Sequence, residues 1–119
     1  GGAFFPPPEP QEADLASISP EMEQTQSFFT TTINSEMRAL EAYDTPETKK
    51  IVEEALVEVQ QLEVTYQQLK KDLLESGNNE RVISAMINNF QNRITILQQV
   101  SETIETIKTL KNNSDETFL

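Results

Sequence analysis

At 119 residues and a net charge of −11, the chain is one acidic domain, large enough to bury a core without covalent staples. It has no Cys and no His, which removes disulfides, thiolate and imidazole metal sites, and imidazole base chemistry. The acidic balance argues against nucleic acid and against an anionic membrane surface, and no apolar run reaches the roughly 20 residues of a membrane span.

Residues 1–19 hold four of the six Pro, with Phe4-Phe5 leading into Pro6-Pro7-Pro8. A triple proline favours polyproline II and enters neither a helix nor a central strand, so this part reads as a semi-rigid spacer. Leu15 and Ile18 are apolar enough to dock on something. The chain starts Gly1-Gly2 without an initiator Met, which is expected of a processed product or of a fragment.

Ser19-Pro20-Glu21 is a helix start: a capping hydroxyl, a proline at the first helical position and an acid facing the macrodipole. Met22, Gln26, Phe29, Ile33, Met37 and Leu40 then follow helical spacing, giving a first helix over residues 20–43. Thr30-Thr31-Thr32 lowers helix propensity in its middle, so packing has to hold that turn. Thr45-Pro46-Glu47 repeats the start signal and forces a sharp reversal. The second helix, over residues 46–76, carries a coiled-coil-like seam at Val52, Ala55, Val59, Leu62, Tyr66, Leu69 and Leu73. Gly77 supplies a left-handed stop, and the asparagines after it supply the next cap.

The third helix is expected over residues 79–111 and organises the rest. Ile83, Ile87, Phe90, Ile94 and Leu97 make one apolar stripe, and Val82, Met86, Ile96 and Val100 make a second beside it. An arc this wide must be covered from more than one side, which makes this helix central. Residues 112–119 read as a polar tail. The fold expected is all-α: an elongated, antiparallel up-down-up three-helix bundle with coiled-coil-like packing over residues 20–111.

Nothing in the chain looks catalytic, and no cofactor is implied. Glu53, Glu54 and Glu58 cluster on the second helix, but a carboxylate di-metal bundle also needs histidines; a solvated face explains them better. Asn89 and Arg93 fall on the second stripe of the central helix. Glu36 lies at a height that could meet Arg93, so Glu36, Asn89 and Arg93 are candidates for fixing register or contacting a partner. Leu73, Leu74, Val82, Ile83 and Met86 form a patch at the Gly77 end, beyond the reach of the first helix. A patch of that kind needs a cover. Leu15 and Ile18 are expected to supply it near Leu73 and Met86, the rival being a tip-to-tip homodimer.

Two blocks carry a resemblance: Asn34-Ser35-Glu36 with Tyr43 to Lys49, and Arg81 to Ile94. They resemble the C-terminal extracytoplasmic region of bacterial single-pass membrane proteins of the anti-sigma-factor type, over about residues 25–111. The resemblance implies a membrane helix and a sigma-contacting segment upstream of this sequence, and no catalytic residues. The function expected is a non-enzymatic interaction or sensor domain of a membrane-anchored regulator. It would bind a protein partner as a monomer or weak homodimer, without membrane contact of its own. The alternatives are a structural or oligomerising helical module and a cytoplasmic adaptor or chaperone-like hairpin.

Overall fold

The computed structural model describes residues 13–43 and 45–117. Phe4, Phe5, the proline run and Phe118-Leu119 lie outside the described residues, as does Asp44 at the first reversal. A 3₁₀ turn at Leu15–Ser17 precedes three helices: α1 (Pro20–Glu41), α2 (Pro46–Ser76) and α3 (Glu80–Thr117). The described residues contain no strand. The molecule is elongated, 80 × 37 × 23 Å.

The caps set the boundaries. Ser19 accepts from the Met22 amide at 3.1 Å, and Pro20 occupies the first turn of α1, where a missing N–H costs nothing. The threonine run stays helical, with Thr32 Oγ1 donating back to the Phe28 carbonyl at 2.8 Å. α1 stops at Glu41, two residues before the expected end, because Tyr43 is drawn into the reversal. Its amide donates to Leu40 O, and its carbonyl accepts from Thr48 Oγ1 at 3.2 Å. Thr45 and Thr48 form a reciprocal capping box, and Thr48 is buried within it. At the other end, Gly77 takes φ +65° and Asn78 follows at φ +66°. Asn79 Oδ1 accepts from the Arg81 amide at 2.8 Å, opening α3.

α3 runs to Thr117, six residues beyond the expected limit of 111, so the tail expected at 112–119 is helical through that point. Its polar residues carry no periodic apolar signal. They also include no Gly or Pro, and an existing helix propagates through such residues at little cost.

α3 packs against both α1 and α2. Its buried line is Met86, Phe90, Arg93, Leu97 and Ile104, in steps of three and four up to Leu97, with Val100 half-buried between the last two. The central stripe therefore borrows from both of the expected ones and admits an arginine. α2 contributes Val52, Ala55, Val59, Tyr66 and Leu73, and α1 contributes Phe29, Ile33 and Leu40. Leu62, read from the sequence as a seam residue, is only half-buried.

Leu15 is wholly buried in the same cluster as Leu73 and Met86, with Ala13, Ile18, Val82 and Ile83 packed against it. The segment ahead of α1 reaches α2, where the Ala13 amide donates to Lys70 O at 2.9 Å. Leu74, in contrast, stays 39% exposed. Residues 13–18 thus belong to the packed body, although the spacer was expected to run to residue 19.

Candidate functional site

An aromatic and cationic stack occupies the middle of the bundle. Phe29 of α1 lies nearly parallel to Phe90 of α3, centroids 5.3 Å apart, and Tyr66 of α2 meets the same ring at 4.7 Å. The Arg93 guanidinium sits 4.5 Å from the Phe90 centroid and 5.3 Å from that of Tyr66. Ring faces are electron-rich, so they hold the cation while its stem fills the seam.

Arg93 is 6% exposed, and its Nε and Nη2 are buried with no hydrogen-bond partner in the protein. Burial pulls its pKa below the ordinary arginine value; the nearby Glu63 charge and Tyr66 oppose this. The guanidinium nonetheless stays charged at neutral pH, since arginine does not deprotonate in proteins. Arg93 lines a crevice of about 260 Å³ between α1 and α2. Its walls carry Gln26, Thr30 and Asn34 from α1, and Glu63, Gln67 and Lys70 from α2. Each set recurs at helical spacing and so faces one side.

The end of this crevice is closed by the segment ahead of α1. Tyr66 OH donates to Asp14, and Lys70 Nζ lies 3.7 Å from the same carboxylate. Gln26 Oε1 accepts from the Ala16 amide at 2.8 Å. Burial, reinforced by the Asp14 hydrogen bond, holds the Tyr66 phenol above its ordinary pKa.

The pairing of Arg93 with Glu36 expected from the sequence is not formed among the described residues. Glu36 lies about a quarter-turn round α1 from the Ile33 and Met37 positions that line the crevice, so the expected height was reached on the wrong face. Asn89 is buried and spans the α2/α3 contact, its Nδ2 donating to Leu62 O at 2.8 Å. Leu73 and Met86 are fully buried, Val82 and Ile83 are half-buried, and Leu74 is left outside.

On the opposite side of α3 the α2/α3 seam opens into two adjoining hollows of about 530 and 190 Å³, sharing Glu58 and Ile96. Leu62, Ile96 and Val100 give this groove an apolar floor. Glu54 and Glu58 lie along it, and no lysine or arginine lines it. Val57 and Val64 are also exposed on α2. The sequence reading placed Glu54 and Glu58 on a plain solvated face. No sequence signal separated Leu62 from the buried seam, so the groove was not legible before its half-burial was seen.

At the far end of the bundle, Tyr43 donates to Glu105 at 2.6 Å and Lys108 lies 4.8 Å above the Tyr43 ring. Lys111 reaches Glu47 at 3.9 Å. The hydrogen bond to Glu105 raises the Tyr43 pKa, and the same bond, with the Lys108 charge, lowers that of Glu105. The described residues contain no group of three acidic side chains that could hold a metal ion, and no helix long and apolar enough to cross a membrane. No family model, curated protein or solved structure matches the chain.

Proposed function

We propose that this chain is a non-enzymatic interaction domain, the extracytoplasmic part of a membrane-anchored regulator of the anti-sigma-factor type. The observation that carries the interaction role is the α2/α3 groove: an apolar floor, acidic residues along it and no cation in its lining. Charge complementarity selects a cationic amphipathic helix as its partner, apolar face down and Lys or Arg toward Glu54 and Glu58. The location and the anchor rest on the sequence resemblance alone.

The groove needs helices held in fixed register, and we take the bundle to be antiparallel, up-down-up. Contacts between α2 and α3 support this, with Glu47 beside Lys111 and Tyr66 beside Phe90, one number rising as the other falls. Contacts of α1 and the reversal after it with α3 rise together, from Phe29 with Phe90 to Tyr43 with Glu105.

The test is binding of a labelled cationic amphipathic helical peptide to the full chain, followed by fluorescence anisotropy. Binding that weakens with salt and is lost in Glu54→Lys/Glu58→Lys supports the groove. Absence of binding at about 100 μM, where even a weak −5 to −6 kcal/mol association would register, sinks it. For the anchor, the decisive observation is an upstream span of about 20 apolar residues in the full gene product. An oligomerising module is the second reading, favoured by Phe28, which is 66% exposed on α1. Light scattering that gives a dimer, abolished by Phe28→Gln, would select it.

A further inference from the structure

Phe28 stands exposed on α1, its ring tilted against that of the buried Phe29 with 6.0 Å between centroids. Thr25 and Thr32 fall three residues before it and four after, so the three side chains share one stripe of the helix. Both hydroxyls turn back on α1, Thr25 Oγ1 donating to Glu21 O at 3.0 Å and Thr32 Oγ1 to Phe28 O. A hydroxyl satisfied within its own helix costs little to cover. None of the three residues lines the crevice between α1 and α2.

On α3, the half-buried Ile87 and Ile94 line neither that crevice nor the α2/α3 groove. Ile94 lies seven residues after Ile87 and eleven before Glu105, which puts both on the side that meets Tyr43 at the end of α1. The outer flank of the α1/α3 seam therefore carries an exposed ring and two half-buried isoleucines. Charge is missing from the same face. Residues 24–35 of α1 hold no charged side chain, and residues 82–101 of α3 hold only the buried Arg93, in a chain that is 24% charged. Glu21, Glu36, Glu80 and Glu102 stand at its ends.

We propose that this α1/α3 face pairs with the same face of a second copy of the chain, Phe28 of each copy entering the seam of the other. Two chains of net charge −11 repel one another, and they meet closely only where neither brings a carboxylate. A cationic partner gains nothing on this face and is drawn to Glu54 and Glu58 in the groove. A neutral centre, an aromatic anchor and a charged rim are the composition of a protein–protein interface. The neutral lengths, about 18 Å of α1 and about 30 Å of α3 at a width of about 10 Å, give about 500 Å² on each copy. The pair then buries about 1,000 Å², at the lower edge of specific interfaces, so the dimer is weak. This deepens the oligomerising reading that rests on Phe28, and it leaves the α2/α3 groove open on the other side of α3.

Sedimentation equilibrium of the full chain reads the association directly. The expected result is a monomer–dimer equilibrium with a dissociation constant of about 10 to 100 μM. It should tighten several-fold as NaCl is raised from about 50 to about 500 mM, because salt screens the repulsion between the copies. Salt weakens a cationic peptide in the groove, so the two associations carry opposite signatures. Gln91 and Gln99 are exposed on different flanks of α3, Gln91 one turn after Ile87 and Gln99 in the groove lining. Each changed to Glu adds the same charge and keeps the shape of the side chain. Gln91→Glu should weaken the dimer about tenfold, and Gln99→Glu should leave its constant within about twofold. Phe28→Asp should abolish the dimer with its circular dichroism unchanged. Peptide binding in the groove should survive Phe28→Asp, which separates a failed dimer from a failed groove. A monomer at every concentration up to about 500 μM and at every salt overturns the pairing. So does a dimer that salt loosens, one that Gln91→Glu leaves intact, or one that Gln99→Glu weakens equally, since each places the contact elsewhere.

Discussion

The Tyr66 hydroxyl donates to the Asp14 carboxylate, joining residues 52 positions apart and fastening the segment ahead of α1 to the middle of α2. Burial favours the neutral phenol in the folded state, and the bond to Asp14 adds to this. A folded-state pKa above the unfolded value near 10 gives stability that is complete below that pH and is lost as pH rises through the range above it. Urea unfolding at about pH 8 and about pH 11 should show a clear fall in the parent chain. The fall should be smaller in Tyr66→Phe, the remainder coming from groups such as Tyr43. Identical falls in the two proteins would mean that the bond is absent in solution. At neutral pH, Tyr66→Phe should cost about 1 kcal/mol, the lower range for a hydrogen bond to a partly exposed charge.

Leu15 and Leu62 should behave in opposite ways to their positions in the sequence pattern. Leu15 precedes every long helix yet is wholly buried, so Leu15→Ala should cost about 2 to 5 kcal/mol by denaturant unfolding. Leu62 sits in a regular seam yet is half-buried, and Leu62→Ala should cost about 1 kcal/mol, in proportion to the smaller area lost. A reversed order would place the segment before α1 in solvent.

Arg93→Met tests the unpartnered guanidinium. Methionine keeps most of the stem's packing and removes two buried donors that lack acceptors, so in chloride buffer the variant should match the parent or exceed it by about 1 kcal/mol. A loss above about 2 kcal/mol would show that the ring contacts or ordered water outweigh desolvation. A double-mutant cycle with Glu36→Ala should be additive within about 0.5 kcal/mol, since the two side chains do not meet.

Gly77 tests the stop between α2 and α3. Its φ is +65°, and a Cβ added there would meet nothing within 4 Å, so the only cost of Gly77→Ala is the backbone conformation. The expected loss is about 1 kcal/mol, and Gly77→Asn should lose less, because asparagine tolerates the left-handed region. A loss above about 3 kcal/mol would mean that the turn itself had rearranged.

Helix positions were legible because capping is local chemistry. Ser19-Pro20 and Thr45-Pro46 each open a helix at Pro20 and Pro46, and Gly77 closes α2 after Ser76. Burial was less legible, because it depends on which neighbour a face meets. Periodicity separated two stripes on α3, whereas the buried line runs between them and takes in Arg93. The pattern put Arg93 on an apolar stripe and gave it a carboxylate partner, and only the positions of Tyr66 and Phe90 reveal that rings accommodate it. Glu36 lies on the flank of the α1 stripe, where height along the axis permits a meeting with Arg93 and rotation about it does not. Thr48 was hidden for a similar reason: as the third residue of a helix it reads as solvated, and its burial comes from a reversal tight enough to need its hydroxyl twice, accepting from the Thr45 amide and donating to the Tyr43 carbonyl.

The fastening at Asp14 also decides how the domain would respond to being pulled. Tension applied to the chain ahead of Ala13 meets the Ala13–Lys70 hydrogen bond first, then the Asp14 contacts with Tyr66 and Lys70, and then the buried Leu15. All three lie before Pro20, so this clasp can open while the capped turns of α1 remain wound. Its opening would expose Leu15, now wholly buried in the common core, and withdraw Asp14 from the lining of the crevice that holds Arg93.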